Sequence, residues 1–514
     1  MLRWSDPLTP LNLTERVNPA VLLIFLAILV FLFLMPFFHA PFERDQGTYA
    51  TIARGWMKGA LPYRDLWDNK GPLLFLWYVA SFVLLGENIV APRIMAAVAA
   101  GLTVPFVWAS ARRMFGRREA TLAAIMFTLS FADIYLQATA NSEIFMLLPM
   151  TAGFWSFVMG TQKNRGWWFF LSGILTSLAV FTRQSAILTF AGYYAWLAMI
   201  CLRQRENRSR TLMAFAALTS GGLLGAVPFG IYFAIHGALR DLWNAMYGFN
   251  VHWVAEQSFA LKFVPPLFIE PGPLVGGLIF WIMAAVGFWK LWRRKDIAAW
   301  LVIFFLAASE VAAQVMGKGS AHYPIQLLPG AAIAAAFGFP ALLEYWKNGG
   351  RAVRAALSAA GLVTAAAILF AYTRPTAESR FTVQYTFRDY ADDAIGAPAI
   401  AKAVAEKSDR GKCVYEWGRS SQIYFLADRQ PCSRWFYDRP YKSYPSMISE
   451  VMEDLRKRKP AVLMVTSEIP PSPELSKFIS EYYRYSCQVN YAKLYEPKDS
   501  YISHAQATKN RPFF

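Results

Sequence analysis

A charged hexapeptide, Phe42-Glu43-Arg44-Asp45-Gln46-Gly47, follows the first long apolar run of this chain, and Asp68-Asn69-Lys70-Gly71-Pro72 closes the loop that it opens. A carboxylate fixed at a membrane surface with a lysine close by suits chemistry on a lipid-linked phosphate. The carboxylate can take a proton from an attacking hydroxyl, and the ammonium can meet phosphate charge. Each also has a plainer reading, Asp45 as a helix-end carboxylate beside Arg44 and Lys70 as a side chain snorkelling to headgroups.

Other positions carry chemistry less distinctly. Glu143, in Thr139-Ala140-Asn141-Ser142-Glu143, opens a span, where Ser142 or Asn141 can cap the helix and the glutamate can complement its dipole. Asp45 and Glu143 together offer oxygen ligands of the kind that suit Mg²⁺ or Mn²⁺, although two carboxylates do not prove a metal. Arg183 lies between two apolar segments, a costly place for a charge that is often functional, and equally a place to anchor a hairpin turn. His252 and His322 can bind a metal, donate to phosphate or accept a proton, while a lone histidine is more often structural. Tyr63, Trp67, Trp253 and Tyr323 can stack on sugar rings, and aromatic residues also belong at membrane interfaces.

The elements that hold these residues must sit in a bilayer. With 56% hydrophobic residues over 514 and a mean hydropathy of +0.29, the chain cannot fold as one soluble core without exposing large apolar patches. Apolar runs of spanning length occupy 20–38, 93–111, 119–137, 144–161, 167–182, 185–202, 212–235, 273–292, 297–316, 324–345 and 355–373, so about eleven spans are expected. Lys and Arg collect in the loops Arg112 to Arg118, Lys163 to Arg165, Arg203 to Arg210, Arg293 to Lys295 and Lys347 to Arg354, which the positive-inside rule places in the cytoplasm. Parity then requires that the segment 72–86, too short for an ordinary span, lie at or dip into the outer interface. The net charge of +17 reports topology and anionic lipid, and excludes no membrane function; it does not argue for nucleic acid.

The same parity puts 39–92, 138–143, 236–272, 317–323 and the chain after about 374 outside the cytoplasm. Residues 1–373 are expected to form a membrane domain, and 374–514 a small extracytoplasmic α/β domain, with strands at Lys412–Trp417 and Ala461–Thr466 and helices at Met447–Lys459 and Pro473–Tyr482. In the first outer loop Tyr49, Ile52, Ala53, Trp56 and Ala60 share a helical face while Arg54 and Lys58 point away, the pattern of a helix lying in the interface plane. Of the cysteines, Cys413, Cys432 and Cys487 fall in the tail, and Cys413 to Cys432 is the preferred disulfide in an oxidising compartment. No internal repeat stands out, and the first apolar run reads as an anchored helix rather than a cleavable signal.

The first span followed by Arg44-Asp45-Gln46-Gly47-Thr48-Tyr49-Ala50, Pro62-Tyr63 and Asn69-Lys70-Gly71-Pro72-Leu73 resembles the GT-C superfamily of lipid-dependent glycosyltransferases, most nearly family 39, the protein O-mannosyltransferases and the bacterial aminoarabinose transferases of lipid A. Phe181-Thr182-Arg183-Gln184 is similar to that family's Thr-Lys segment, and Gly319 to Pro329, with His322-Tyr323 inside it, to its His-Tyr and Leu-Pro segment. The resemblance covers roughly 20–345. Two departures stand out: Gln46 where many members carry an acid, and Arg183 where lysine is commoner.

The resemblance implies inverting transfer of a sugar from a polyprenyl-phosphate donor to lipid A, another envelope glycan or a protein at the outer face of the membrane. It implies Asp45 as general base, Lys70 and Arg183 at the donor phosphate, and Glu143 as a second acid in the site. Short cytoplasmic loops favour a bacterial inner membrane. A transporter or flippase of lipid-linked sugars is the competing reading; against it stand the absence of an inverted hydropathy repeat and the gathering of charges at one face instead of the midplane. The sugar itself is not legible.

Overall fold

The computed structural model describes residues 18–501, except 134, 136–139, 205–207, 257–263, 270–271, 316–319, 385–390, 443, 445, 468–469 and 500. Parts of the expected span 119–137 and of the outer segments 138–143, 236–272 and 317–323, with Thr139 and Gly319 of the motifs above, therefore lie outside the described residues. The chain divides into two compact units, neither continuous in sequence: Met1–His39, Pro92–Tyr232 and Val254–Phe387 form one, and Ala40–Ala91, Phe233–Trp253 and Arg388–Phe514 form the other.

The first unit is helical. Among the described residues of the chain, eight helices are long and apolar enough to cross a membrane, from Pro19–Phe37 to Arg351–Tyr372. The three other expected spans coincide with shorter helices, Arg117–Ser130 of 14 residues and Gly166–Thr182 and Leu278–Arg294 of 17 each. At 1.5 Å per residue, 17 residues reach about 25 Å, at the short end of the spanning range. On Pro19–Leu34 the outward side chains Val21, Ile24, Phe25 and Ile28 are exposed and apolar, as suits contact with hydrocarbon. Helices Leu278–Arg294 and Leu328–Asn348 pack at Gly287 and Gly338, where a Cβ would strike the carbonyls of Ala334 and Met283 respectively. Small residues let helix backbones approach closely in lipid, where hydrophobicity supplies no drive for association. Leu267, Phe268, Trp281, Leu306 and Glu310 are among the residues lining an apolar cavity of about 520 Å³ in this unit.

The second unit is built around helix Arg44–Met57. Tyr49, Ile52, Ala53 and Ala60 are buried as the periodicity predicts, but so are Gln46, Gly47, Ala50, Thr51 and Gly55. The helix packs on Pro72–Leu85 and on Gln422–Ala427 of the tail, and a Cβ at Gly47 would overlap the Gln422 backbone. Within the unit it is thus covered on two sides rather than one. The small residues opposite the large apolar face accept the second neighbour. Arg54, expected to point outward, pairs with Glu87 at 2.7 Å and lies 4.0 Å over the Phe425 ring.

In the tail, β1 (Cys413–Trp417), β2 (Gln430–Pro431), β3 (Leu463–Val465), β4 (Tyr483–Val489) and β5 (Ala492–Pro497) make one sheet in the order β2-β1-β3-β5-β4. β1 is parallel to β2 and β3, and β5 is antiparallel to β3 and β4. Helices Met447–Arg458 and Pro473–Tyr482 fall where their patterns put them. The Cys413–Cys432 disulfide is formed, and Cys201 and Cys487 are free thiols.

Candidate functional site

In the second unit the loop 61–72 delivers Lys70. Tyr63 takes a left-handed φ of 72°, its N–H donates to the Leu66 carbonyl at 2.7 Å, and its buried hydroxyl donates to the Lys70 carbonyl at 2.7 Å. Burial holds the Tyr63 phenol well above its usual pKa, so this hydroxyl stays a donor. The Lys70 N–H donates to Asp68 Oδ2 at 3.2 Å, and Asp68 Oδ1 accepts from the Tyr437 hydroxyl at 2.7 Å. Asn69 Nδ2 donates to Asn250 Oδ1 at 2.9 Å while its own Oδ1 accepts from the Lys70 ammonium at 2.9 Å. Trp67 is buried, with ring centres 5.0 Å from Phe249, 5.2 Å from Trp435 and 5.9 Å from Tyr444.

The ammonium of Lys70 is half-buried, sits 5.8 Å from the centre of the Tyr49 ring, and has as partners that ring and the Asn69 amide oxygen, both neutral. Its charge is therefore oriented without being cancelled. Asp45 stands in the first turn of helix Arg44–Met57, where the positive end of the helix dipole favours a carboxylate. Because Asp45 and Tyr49 are four residues apart, they share a face of that helix, so the base candidate lies one turn from the ring that the lysine covers. Gln46, the departure from the family pattern, is buried and donates to Glu43 Oε1 at 2.8 Å.

The first unit holds a second cluster of a different kind. Glu143, 1% exposed, ion-pairs with Arg183 at 2.6 Å, in an orientation outside hydrogen-bond geometry, and its same Oε1 lies 3.4 Å from His322 Nε2, a contact that is ionic only when the imidazole is protonated. Ser142 donates to Glu143 Oε2 at 2.9 Å and accepts from Arg183 Nη1 at 3.0 Å. Arg183 Nε donates to Ser185, whose hydroxyl donates to Gln326 Oε1 at 3.3 Å. The guanidinium also lies 4.8 Å over the buried Tyr323 ring.

The residues singled out by sequence thus fall into two groups. Asp45, Tyr63, Trp67, Lys70, His252 and Trp253 are in the second unit, and Glu143, Arg183, His322 and Tyr323 in the first. Tyr63, Trp67 and Tyr323 are buried in aromatic packing, His252 is exposed on helix Phe249–Glu256, and Trp253 stacks on Phe249 at 5.9 Å. Missed by the sequence reading were Asp68, Asn69, Asn250 and Tyr437 around Lys70, and Ser185 and Gln326 around Arg183. Adjacency to Lys70 was a signal for the first two; nothing local marks Tyr437, 369 residues beyond Asp68. For Mg²⁺ or Mn²⁺ the donor set is thin: among the described residues no three His, Cys, Asp or Glu side chains converge, and Glu143 already faces Arg183. The described residues do not form a ready cation site.

Residues 70–232 match the family described as dolichyl-phosphate-mannose-protein mannosyltransferase. An undecaprenyl phosphate-alpha-4-amino-4-deoxy-L-arabinose arabinosyl transferase of Pseudomonas fluorescens is 22% identical, over 57% of this chain and 54% of that relative, so the chain matches about half the length of that protein. ArnT from Cupriavidus metallidurans, solved bound to undecaprenyl phosphate, is similar in structure with a TM-score of 0.62 at 15% identity, covering 94% of this chain and 98% of ArnT. The oligosaccharyltransferase AglB from Archaeoglobus fulgidus, solved with an inhibitory peptide and a dolichol-phosphate, gives 0.55 at 12% identity, over 94% and 74%. With the architecture of ArnT shared over 94% of this chain, this chain is a multi-pass membrane protein with the fold of ArnT and AglB, the GT-C fold.

Proposed function

We propose that the protein is a glycosyltransferase that moves a sugar from a polyprenyl-phosphate donor to a hydroxyl of an envelope acceptor, with inversion at the anomeric carbon. The observation that carries this reading is Lys70, a lysine held by neutral partners one helical turn from a helix-start carboxylate. Asp45 takes the acceptor's proton as its oxygen bonds to the anomeric carbon. The bond from that carbon to the phosphate oxygen breaks, and the electron pair leaves with the phosphate, whose second negative charge Lys70 stabilises. The apolar cavity beside Trp281 and Glu310 suits an isoprenoid chain. The ligands with which ArnT and AglB were solved, undecaprenyl phosphate and dolichol-phosphate, support the donor class. Lipid A, another envelope glycan or a protein are the acceptors in view, at the outer face of a bacterial inner membrane.

The test is release of polyprenyl phosphate from a panel of lipid-linked sugars by the purified chain and by Asp45→Asn, with envelope extract as acceptor source. Loss of about 10²–10⁴-fold in turnover in the variant is expected. Equal turnover removes Asp45 from the chemistry, and donor movement across proteoliposomes without release makes the protein a transporter. Including EDTA decides the divalent cation, on which no step above depends.

A further inference from the structure

We propose that Asp68 and Tyr437 are positioning residues for Lys70, so that the C-terminal tail sets the affinity of the loop for the donor's phosphate; this rests on the phosphate role proposed for Lys70. Two hydrogen bonds converge on one carboxylate, from the tail on one oxygen and from the loop on the other. The Tyr437 hydroxyl donates to Asp68 Oδ1 at 2.7 Å, and Asp68 Oδ2 accepts the Lys70 N–H at 3.2 Å. Both side chains are buried, Asp68 at 5% exposed and Tyr437 at 7%. A buried carboxylate needs its lone pairs met, and the partner that meets the oxygen not used by Lys70 comes from the tail. A second tie runs alongside, the Trp67 N–H donating to the Arg434 carbonyl at 3.0 Å. Arg434 and Tyr437 follow Cys432, which its disulfide anchors to β1 at Cys413. The tail segment that meets the loop is therefore itself fastened to the sheet.

With the tyrosine hydroxyl gone, Asp68 keeps an unmet buried oxygen and is free to turn toward the ammonium of Lys70, two residues on. Either change, a shifted Lys70 backbone or a carboxylate that cancels its charge, weakens phosphate binding without removing any group that touches the donor. A purely structural tyrosine would lower stability and leave affinity for the phosphate alone.

The experiment measures binding of undecaprenyl phosphate to the full-length chain and to Tyr437→Phe, Asp68→Asn, Lys70→Ala and the double variant Tyr437→Phe/Lys70→Ala, with melting temperatures alongside. Tyr444→Phe is the control. Its hydroxyl donates to the Asn244 carbonyl at 3.1 Å from the same aromatic cluster, not to Asp68. Tyr437→Phe and Asp68→Asn are each expected to weaken binding about tenfold, as loss of a hydrogen bond to a charged group allows. In the double variant the tyrosine change should add nothing to Lys70→Ala, since coupled residues are not additive. Unchanged binding in Tyr437→Phe beside weakened binding in Lys70→Ala overturns the inference. So does an effect that multiplies in the double variant, or an equal loss of binding and melting temperature in Tyr444→Phe. Undiminished binding in Lys70→Ala instead sinks the phosphate role itself, and the inference with it.

Discussion

Lys70 and Arg183 are both cations expected at a phosphate, and the protein treats them differently. Arg183 faces the buried Glu143 and donates to Ser142 and Ser185, so its charge is opposed inside the protein. Lys70 is held through its backbone by Tyr63 and Asp68, while among the described residues its ammonium meets an amide oxygen and an aromatic face. Burying a charge pair is costly and yields a rigid frame more than an available charge; orienting a lysine with neutral groups leaves its charge for a ligand. We propose that the first arrangement is architecture and the second chemistry.

The sharpest way to break this contrast is Glu143→Gln. If the pair is a frame, leaving Arg183 buried without its counter-charge should cost about 3–5 kcal/mol, read as a large fall in melting temperature in detergent. The double change Glu143→Gln/Arg183→Met should recover much of it. Lys70→Ala should do the opposite, lowering turnover by about 10²–10³-fold with a melting temperature close to wild type. A Lys70 variant that unfolds, or a Glu143 variant that stays stable and loses only turnover, would reverse the two assignments.

A third prediction concerns the tail. Burial, helped by the charges of Asp438 and Asp393 and opposed by hydrogen bonds from Thr466 and Ser420, pushes the Glu416 carboxyl up to about 8. The folded state thus keeps a proton that the unfolded chain gives up in the ordinary carboxylate range. Stability from this group is full below that range and declines as pH rises toward 8, by a few kcal/mol overall. Glu416→Gln should flatten the fall in melting temperature between pH 5 and 8; an unchanged slope would place the titration elsewhere. The smallest effect is expected from Gly47→Ala, about 1–3 kcal/mol from a methyl group forced against the Gln422 backbone, measurable by the same melt. If Gly47→Ala leaves the melt unchanged, the helix–tail contact yields more readily than its packing implies.

Much of this was legible locally. The apolar runs marked the helices, and the tail's strands at Cys413–Trp417 and Leu463–Val465 lie inside the segments that alternation picked out. What failed was the environment of helix Arg44–Met57. Hydrophobic periodicity weighs large side chains, and Gly47, Ala50, Thr51 and Gly55 carry their information by being small, which only a neighbouring backbone reveals. The hairpin of β4 and β5 was also missed, because charged Arg484 on edge strand β4 and Lys493 and Glu496 on β5 interrupt the apolar pattern. At the site, the residue types of Asp45 and Lys70 were visible, but their difference from Arg183 was not. That difference depends on which partner each cation meets, and the partners are scattered along the chain.

The second unit is assembled from three separate stretches, 40–91, 233–253 and 388–514. Asp68 is synthesised 369 residues before Tyr437, which at about 5–20 residues per second is a delay of roughly 20–70 s. For that interval the loop carrying Asp45 and Lys70 is outside the ribosome without its tail, while the helices between them are still being threaded into the bilayer. Such long-range closure is slow and leaves hydrophobic surface open to wrong partners. The proposed phosphate-binding loop is then finished last of all, and a chain stalled before its tail would be a membrane-inserted protein with an unbuilt site.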